Sequence, residues 1–244
     1  MVGLTDRGMV RAENEDSIAT RPEIGLAVLA DGMGGHQAGE VASAMAVDVV
    51  TRHFEELLAS GDNGDDRVRE AKSMDAAIRA ANSAIFEVAQ SRPDYSGMGS
   101  TIVVAIFYGD HMFVGHVGDS RLYRLRGDEI EQLTEDHSVI QELLNRGLMT
   151  EEEARVTIGK NLVTRALGVD AEVLPDVAQE ELQNGDLFLL CSDGLNDVIS
   201  DDEIATHMRE CGNDIEQTAQ KLIDLANSRG GPDNISVILA RTSG

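Results

Sequence analysis

The sequence predicts a mixed α/β layer structure in which most strands run antiparallel. Short apolar runs of strand length come in neighbouring pairs, and long segments with helical periodicity separate these pairs. Strands and helices do not alternate regularly, as they would in a doubly wound parallel sheet. The chain has 244 residues, 42% of them hydrophobic, and only four prolines, so we expect one domain with a substantial core over residues 1–244.

Five apolar runs rich in β-branched residues predict core strands. They cover residues 24–30, 101–107, 111–117, 187–191 and 235–240. Two further segments, RLYRL and EIEQL, flank the dipeptide Gly127-Asp128, which favours the tight turn of a β-hairpin. We therefore expect a hairpin beside the core strands.

Three segments carry apolar residues on one helical face. The faces consist of Val47, Val50, Phe54, Leu57 and Leu58, of Ile78, Ala81, Ile85 and Val88, and of Ile215, Ala219, Leu222 and Ala226. Two capping boxes, Thr150 with Glu153 and Ser200 with Glu203, predict further helix starts.

The composition excludes several classes of partner. With 44 acidic and 20 basic residues, the formal charge of −24 repels nucleic acid and anionic lipid, so neither is an expected partner. No run approaches the ~18 apolar residues of a membrane span, and the amino terminus does not resemble a signal peptide, which favours a soluble cytoplasmic protein. The two cysteines, Cys191 and Cys211, indicate neither a disulfide framework nor a thiolate metal site.

The segment LAVLADGMGGHQAGE, residues 26–40, places glycines between a predicted strand and a predicted helix. Such glycines often cradle phosphate, but His36-Gln37 stands where a Walker loop needs Lys and Ser or Thr. Gln37 also replaces the third small residue of a dinucleotide fingerprint. Asp31, which ends the apolar run, is left without a role, and burying its charge is costly unless a cation or strong donors compensate it.

Three other predicted strands have an aspartate beside one end: Asp119 and Asp193 follow strands, and Asp233 precedes one. A single aspartate at such a place is more often a turn former or a cap, but four of them favour a site for a hard cation. Mg²⁺ and Mn²⁺ take oxygen ligands, and no His pair or Cys set indicates zinc. A dense charged cluster near the amino terminus adds Asp6, Arg11, Asn14, Glu15 and Asp16.

Six segments together resemble the metal-dependent protein phosphatases (PPM), the type-2C serine/threonine phosphatases, in their compact bacterial form. In order and spacing they cover almost the whole chain. The segments are Thr5-Asp6-Arg7-Gly8 through Asn14-Glu15-Asp16, Asp31-Gly32-Met33-Gly34-Gly35-His36, Gly97-Met98-Gly99-Ser100-Thr101, Val117-Gly118-Asp119-Ser120-Arg121, Ser192-Asp193-Gly194-Leu195 and Gly231-Pro232-Asp233-Asn234.

The resemblance implies an α+β fold, a four-layer α-β-β-α sandwich of two antiparallel sheets flanked by helices. It also implies two Mn²⁺ or Mg²⁺ ions at one end of the sandwich, with a third, weaker ion beside them. The implied metal residues are Asp16, Asp31, Gly32, Asp119, Asp193 and Asp233.

By position, Asp31 resembles the carboxylate that bridges the two core ions, while Asp193 and Asp233 resemble further ligands of one of them. The carbonyl of Gly32 resembles a ligand of the other ion. Asp16 is expected to act through bound water or by orienting ligands. Asp119 resembles the ligand of the third ion, which it shares with Asp193.

The implied catalytic residues are Asp31, Arg11 and His36. Arg11 resembles a residue that grips the phosphate, and His36 is a candidate acid for the leaving oxygen. Two plainer interpretations stay open: Arg11 as a surface ion-pair partner of nearby acids, and His36 as a helix-capping residue.

Of the other histidines, His116 is interpreted as a strand residue, and His137 lies in a segment that resembles the mobile flap of the family, at about residues 135–164. The flap is expected to influence substrate choice. Many bacterial relatives have His-Pro shortly before the NLVTRALG segment, where this chain has Thr157-Ile158.

The function that the resemblance implies is hydrolysis of phosphoserine and phosphothreonine in proteins by direct attack of a metal-bridging hydroxide. The expected partners are phosphorylated proteins, substrates of a cognate Ser/Thr kinase, and the chain is expected to be a monomer. Two alternatives stay open: a non-catalytic phosphoprotein-binding or partner-switching module on the same fold, and a phosphatase for small phosphometabolites.

Overall fold

The computed structural model describes residues 1–34, 38–59, 67–150, 153, 162–210 and 214–242, with backbone only for residues 67–70. Within these ranges the strands are β1 (Val2–Asp6), β2 (Asp16–Arg21), β3 (Leu26–Met33), β4 (Gly99–Ser100), β5 (Ile102–Tyr108), β6 (His111–Val117), β7 (Arg121–Arg126), β8 (Glu129–Gln132), β9 (Asp176–Glu181), β10 (Leu187–Cys191) and β11 (Ile235–Arg241). The helices are α1 (Ala38–Ala59), α2 (Arg67–Ser91), α3 (Val139–Asn145), α4 (Asp193–Asn196), α5 (Asp201–Glu210) and α6 (Ile215–Ser228).

The strands form two antiparallel sheets. The first has the order β1-β11-β10-β7-β8, and the second has the order β2-β3-β5-β6-β9, with short β4 paired to the end of β3. The predicted hairpin is present, since β7 and β8 pair across Gly127, whose φ of 60° suits the turn. The sequence-based prediction of antiparallel pairing is confirmed.

Alternating side chains along the central strands separate the layers of the sandwich. In β3, Leu26 and Val28 pack in the cluster that contains the buried residues of α1 and α2. Ala27 and Leu29 point the other way, into a core shared with the first sheet, where they meet residues such as Phe188 of β10. Apolar side chains are needed on both faces, which explains the unbroken hydrophobic runs.

The first sheet is covered by α5 and α6, whose buried residues cluster with those of β10 and β11. The predicted apolar helix faces are confirmed: Phe54, Ile78, Ile85 and Leu222 are fully buried. The molecule is thus a four-layer α-β-β-α sandwich, as expected.

Both predicted capping pairs are hydrogen-bonded, reciprocally for Thr150 with Glu153 and through the Glu203 carboxylate alone for Ser200 with Glu203. The Glu203 carboxylate accepts from the Ser200 backbone N–H at 3.2 Å and from its hydroxyl at 2.8 Å, just before α5. The Glu153 carboxylate accepts from the Thr150 N–H at 2.9 Å, and the Glu153 N–H donates to the Thr150 hydroxyl at 3.3 Å.

The prediction for the strand at 24–30 was wrong at both ends. Residues 22–24 form a 3₁₀ turn that ends at Gly25, with φ of 69°, so β3 begins at Leu26 and continues to Met33. Asp31 therefore lies inside the strand and does not close it. The reason is that β2 and β4 continue to pair with β3 after β5 has left it, as the pairs Asp16–Asp31 and Gly32–Ser100 show.

Four strands, β1, β2, β4 and β9, were not predicted. The charged cluster near the amino terminus lies at the end of β1, in the loop that follows and at the start of β2. Cys191 is buried, as expected, whereas Cys211 lies outside the part of the chain that is described. Within that part, no helix combines the length and apolarity that a membrane crossing needs.

Candidate metal centre

Aspartates from separate chain segments gather at one end of the sandwich. Asp16 on β2 is paired in register with Asp31 on β3, and Asp193 opens α4 two residues after β10. Asp233 stands two residues before β11, and Asp119 stands two residues after β6. The antiparallel pairing of these strands brings all five to the same edge, where the charges of the other four raise the pKa of Asp31.

Asp16 is held by hydroxyl groups from the opposite sheet. Its Oδ2 accepts from Ser192 Oγ at 2.8 Å and from Ser236 Oγ at 2.6 Å. Burial raises the pKa of Asp16 to about 6, although both serine hydrogen bonds act to lower it. Its Oδ1 is buried and has no hydrogen-bond partner among the described residues.

Asp31 and Asp193 have pKa values well above their usual range. Burial is the largest cause for both, followed by the negative charges of Asp16 and Asp193 around Asp31 and of Asp119 and Asp197 around Asp193. Burial and nearby Asp136 likewise raise the pKa of Asp119 to about 6. The centre is thus a set of buried and half-buried acids that destabilise one another when they ionise.

These residues fit a hard divalent cation. Carboxylate oxygens are the ligands that Mg²⁺ and Mn²⁺ prefer, and the buried Oδ1 atoms of Asp16 and Asp193 have no hydrogen bond from the described part of the chain. A cation among them would offset the charge repulsion that raises the pKa values. Because the donor set contains only oxygen, we expect Mn²⁺ or Mg²⁺ at this centre.

Gly32 lets two backbone segments pack closely beside Asp31. A Cβ atom at Gly32 would lie 2.1 Å from the Gly39 carbonyl oxygen in α1 and 2.6 Å from the Glu15 carbonyl oxygen. Gly32 also donates its N–H to Glu15 at 3.1 Å. A side chain would force this backbone apart, so only glycine fits here.

Arg11 lies against one of the candidate ligands. Its Nη2 donates to Asp233 Oδ2 at 2.6 Å, and its side chain is 43% exposed. The hydrogen bond with Asp233 is the main reason why the pKa of Arg11 is raised. The surface ion pair considered from the sequence is therefore present, but with Asp233 as the partner. His36, the candidate acid, lies outside the described residues.

Asn234 fixes the loop that carries Arg11. Its Nδ2 donates to the carbonyl oxygens of Arg7 and Glu13, both at 2.9 Å, and its Oδ1 accepts from the Glu15 N–H at 2.9 Å. Asn234, Ser192 and Ser236 were assigned no role of their own from the sequence, although Asn234 and Ser192 lie in segments that carried the resemblance. The sequence feature that could have identified them is a short polar side chain close to an aspartate.

The start of the segment that was predicted to be a flap is hydrogen-bonded to both sheets. Arg121 on β7 donates to both carboxylate oxygens of buried Asp136, at 2.7 to 3.1 Å. His116 on β6 donates from Nε2 to the Glu135 carbonyl oxygen at 2.8 Å. The Thr164 N–H donates to the His137 carbonyl oxygen at 2.8 Å and so joins the two ends of the predicted flap segment. Residues 151, 152 and 154–161, including Thr157-Ile158, lie outside the described ranges.

A cavity of about 810 Å³ opens at the opposite end of the sandwich. Met1, Phe107, Tyr108 and Arg241 are among its lining residues. It lies at the ends of β5 and β11 that are remote from the aspartates. Because the acids with strongly raised pKa values lie in the aspartate cluster, we take that cluster, and not the cavity, as the candidate active site.

Comparison with known proteins agrees with this arrangement. The family model described as Protein phosphatase 2C matches residues 4–235. The serine/threonine protein phosphatase PstP of Mycobacterium tuberculosis (strain H37Rv) is 41% identical over 236 residues, which are 97% of this chain and 43% of that protein. The serine/threonine phosphatase stp of Listeria monocytogenes serovar 1/2a is 38% identical over 240 residues, 96% of this chain and 92% of that protein. The chain thus spans less than half of the mycobacterial relative.

The fold is also similar to solved structures. The catalytic domain of PstP, crystallised in complex with two manganese ions, superposes with a TM-score of 0.87 at 40% identity, covering 100% of this chain and 97% of that one. These findings confirm the resemblance inferred from the six segments.

Proposed function

The chain belongs to the protein phosphatase 2C family, and from this premise we propose that it is a metal-dependent serine/threonine protein phosphatase. The observation that carries the proposal is the convergence of five aspartates, two of them buried and three half-buried, on one end of the sandwich. Such a centre suits two divalent ions, and the names of the relatives support phosphoserine and phosphothreonine as the substrates.

In the proposed centre, Asp31 would be a ligand of both ions, Asp193 and Asp233 would be further ligands of one of them, and the Gly32 carbonyl oxygen would be a ligand of the other. Asp119 and Asp193 hold a third, weaker ion. When bound, the ions supply Lewis acidity and an activated water for attack on phosphorus. Asp16 orients this set through water and through its hydrogen bonds with Ser192 and Ser236.

Arg11 is the proposed phosphate-binding residue. Its guanidinium is half-exposed beside Asp233, so it can turn from the carboxylate to a phosphate without a large burial change. We expect Arg11→Ala to raise KM for a phosphopeptide by ~10-fold or more with a smaller effect on kcat, because a charge-assisted bidentate contact to substrate is lost. Arg11→Lys should restore only part of this, since lysine lacks the planar fork. Steady-state kinetics at saturating Mn²⁺ measures both parameters.

His36 remains the proposed acid for the leaving oxygen, and residues 1–244 remain one proposed catalytic domain with a flap at about 135–164. The proposed partners are phosphoproteins made by a cognate Ser/Thr kinase. We further propose a monomeric protein that acts in the cytoplasm. The absence of a membrane-spanning helix in the described part of the chain is compatible with that location.

The decisive test is hydrolysis of p-nitrophenyl phosphate with Mn²⁺, with and without EDTA. We expect turnover that EDTA abolishes and Mn²⁺ restores. A non-catalytic phosphoprotein-binding module would give no turnover with any divalent ion. Comparing phosphopeptides with small phosphometabolites at equal concentration then decides the substrate class, and faster turnover of the metabolites would contradict the protein substrate.

A further inference from the structure

Gly118, the residue before Asp119, forms hydrogen bonds with His137 at the flap base through both its carbonyl oxygen and its N–H. The His137 N–H donates to the Gly118 carbonyl oxygen at 2.9 Å, and the Gly118 N–H donates to His137 Nδ1 at 3.1 Å. Gly118 has a φ of 107°, and a Cβ there would lie 2.6 Å from Thr101 Cβ. The peptide that leads into Asp119 is thus held between Thr101 and His137.

The hydrogen bonds assign the tautomer of His137. Because the Gly118 N–H can only donate, Nδ1 must be unprotonated, and Nε2 carries the proton. Nε2 then donates to Asp176 Oδ2 at 3.2 Å. Burial and the neighbouring His116 lower the pKa of His137, which agrees with a neutral ring. The ring is also stacked on His116, with centroids 4.6 Å apart and planes inclined by 20°.

Possible ligand atoms of His116, His137 and Asp176 lie within 4.8 Å of one another, a spacing that a transition metal could use. However, Arg165 Nη1 stands 3.2 Å from His137 Nε2 and 3.1 Å from Asp176 Oδ1, so a guanidinium already fills the position of a cation. Metal on Nε2 would also move the proton to Nδ1, against the Gly118 N–H. The group is better explained as a hydrogen-bonded chain from Asp176 through His137 to Gly118.

We propose that His137 is a positioning residue that fixes the Gly118–Asp119 backbone and so aims the Asp119 carboxylate into the aspartate cluster. The proposal rests on the proposed function for its effect on metal binding and catalysis. Glycine has the largest backbone freedom of any residue, so the direction of Asp119 depends on groups outside its own segment. His137 supplies such a group, and its position at the flap base connects the flap to the third metal site.

Two conservative variants separate the two hydrogen bonds of the ring. His137→Asn keeps an acceptor near the place of Nδ1 and loses the Asp176 contact, whereas His137→Gln reaches toward Asp176 and loses the acceptor for Gly118. We expect the Gln variant to speed hydrogen exchange of the Gly118 amide in EDTA-treated protein by at least ~10-fold. We also expect it to weaken the weakest Mn²⁺ site, titrated by electron paramagnetic resonance, by ~10-fold, as outer-shell changes do.

The Asn variant should stay within about threefold of wild type in both measurements, a difference well below the ~10-fold of a lost outer-shell partner. His53→Ala is the matched control, because His53 pairs with Ser73 between α1 and α2, far from the centre. It should change neither readout. Asp119→Asn should remove the weakest Mn²⁺ site without speeding the Gly118 exchange.

Equal exchange and equal Mn²⁺ binding in the Gln and Asn variants would overturn the proposal, and so would faster exchange with an unchanged weakest site. Failure of the proposed function gives a different result, namely wild-type protein with no Mn²⁺-dependent turnover of p-nitrophenyl phosphate. The exchange of the Gly118 amide still reports on the role of His137 in that case.

Discussion

Buried carboxylates occur at both ends of the sandwich, and the two ends neutralise them differently. Asp186, 1% exposed at the start of β10, accepts two hydrogen bonds from Arg126, at 2.8 and 2.7 Å. Asp193, just beyond the other end of the same strand, has other aspartates as its main charged neighbours. A buried carboxylate that is paired with an arginine already has its charge compensated. A carboxylate that is surrounded by other acids needs an added cation for the same purpose.

The pKa values follow the same division. Burial acts to raise the pKa of Asp186, but the bonds from Arg126 and the Gln183 N–H outweigh it and lower the pKa. For Asp31 and Asp193 both burial and the charged neighbours raise the pKa. Charge compensation, and not burial alone, therefore distinguishes a structural carboxylate from a candidate metal ligand.

The largest effect is expected when a carboxylate at one end or the other is replaced by an amide. Asp31→Asn or Asp193→Asn should lower turnover of a phosphopeptide by at least ~100-fold, because an active site loses a charged group. Each should also raise the Tm of EDTA-treated protein, since one repelling charge is gone. Turnover and differential scanning fluorimetry measure the two effects.

Asp186→Asn is the matched control and should do the opposite. It should keep turnover near wild type and lower stability by ~1–3 kcal/mol, because Arg126 loses its partner but remains partly exposed. A folded Asp31→Asn protein with full Mn²⁺-dependent activity would refute the assignment of the centre.

The next effect concerns the serines that hold Asp16. Ser192→Ala or Ser236→Ala removes one of two hydroxyl donors to Oδ2 and so should weaken Mn²⁺ binding by ~10-fold, with turnover recovering at high Mn²⁺. Activity against Mn²⁺ concentration measures the shift. Ser200→Ala, which removes a hydroxyl at the start of α5, is the control and should leave the Mn²⁺ dependence unchanged.

A smaller effect is the pH dependence of metal-free protein. The pKa of Asp119 is raised from 3.8 to about 6, so the folded state binds this proton more tightly, and stability is lost as pH rises between these values. Relative to wild type, Asp119→Asn should gain up to ~2 kcal/mol, roughly 4 to 8 °C in Tm, from pH 4 to pH 7.

The quantity to measure in EDTA is the difference in stability between wild type and Asp119→Asn. The stability of one protein alone is not enough, because buried His116 and His137 have lowered pKa values and make stability rise with pH. Asp186, with its lowered pKa, loses its contribution only as pH falls below the usual aspartate range. A gain that is the same at pH 4 and pH 7 would show that Asp119 does not titrate as inferred.

The smallest effect is expected when both members of the Arg126–Asp186 pair are replaced. Arg126→Met with Asp186→Leu should stay within ~1 kcal/mol of wild type, because an apolar pair of similar size often substitutes for a buried ion pair. Asp186→Leu alone should cost more, since it leaves Arg126 without its carboxylate. Urea unfolding of the single and double variants measures the coupling, and a double variant as unstable as the single one would contradict it.

The sequence predicted those parts of the fold that apolar periodicity dictates. β6 and β10 were predicted at their observed bounds, because both faces of these strands are buried. β9, with the sequence DVAQEE, was missed because its side chains are mostly exposed and its position depends on backbone pairing with β6. Pairing of this kind leaves no hydrophobic pattern to detect.

The candidate site was predicted less completely for a similar reason. Asp31, Asp193, Asp119 and Asp233 were found because they stand in or beside apolar strands. The hydroxyl donors to Asp16 and the contact of His137 with Gly118 join residues far apart in the chain, and no local pattern marks such pairs.

The candidate ligands come from positions 16, 31, 119, 193 and 233, nearly the full span of the chain. No short peptide therefore contains enough of the set to capture an ion while the chain is unfolded. Manganese should accordingly leave the refolding rate almost unchanged and slow unfolding, since its contacts form only after both sheets have docked. Bound metal would thus stabilise the folded chain kinetically without helping it to fold.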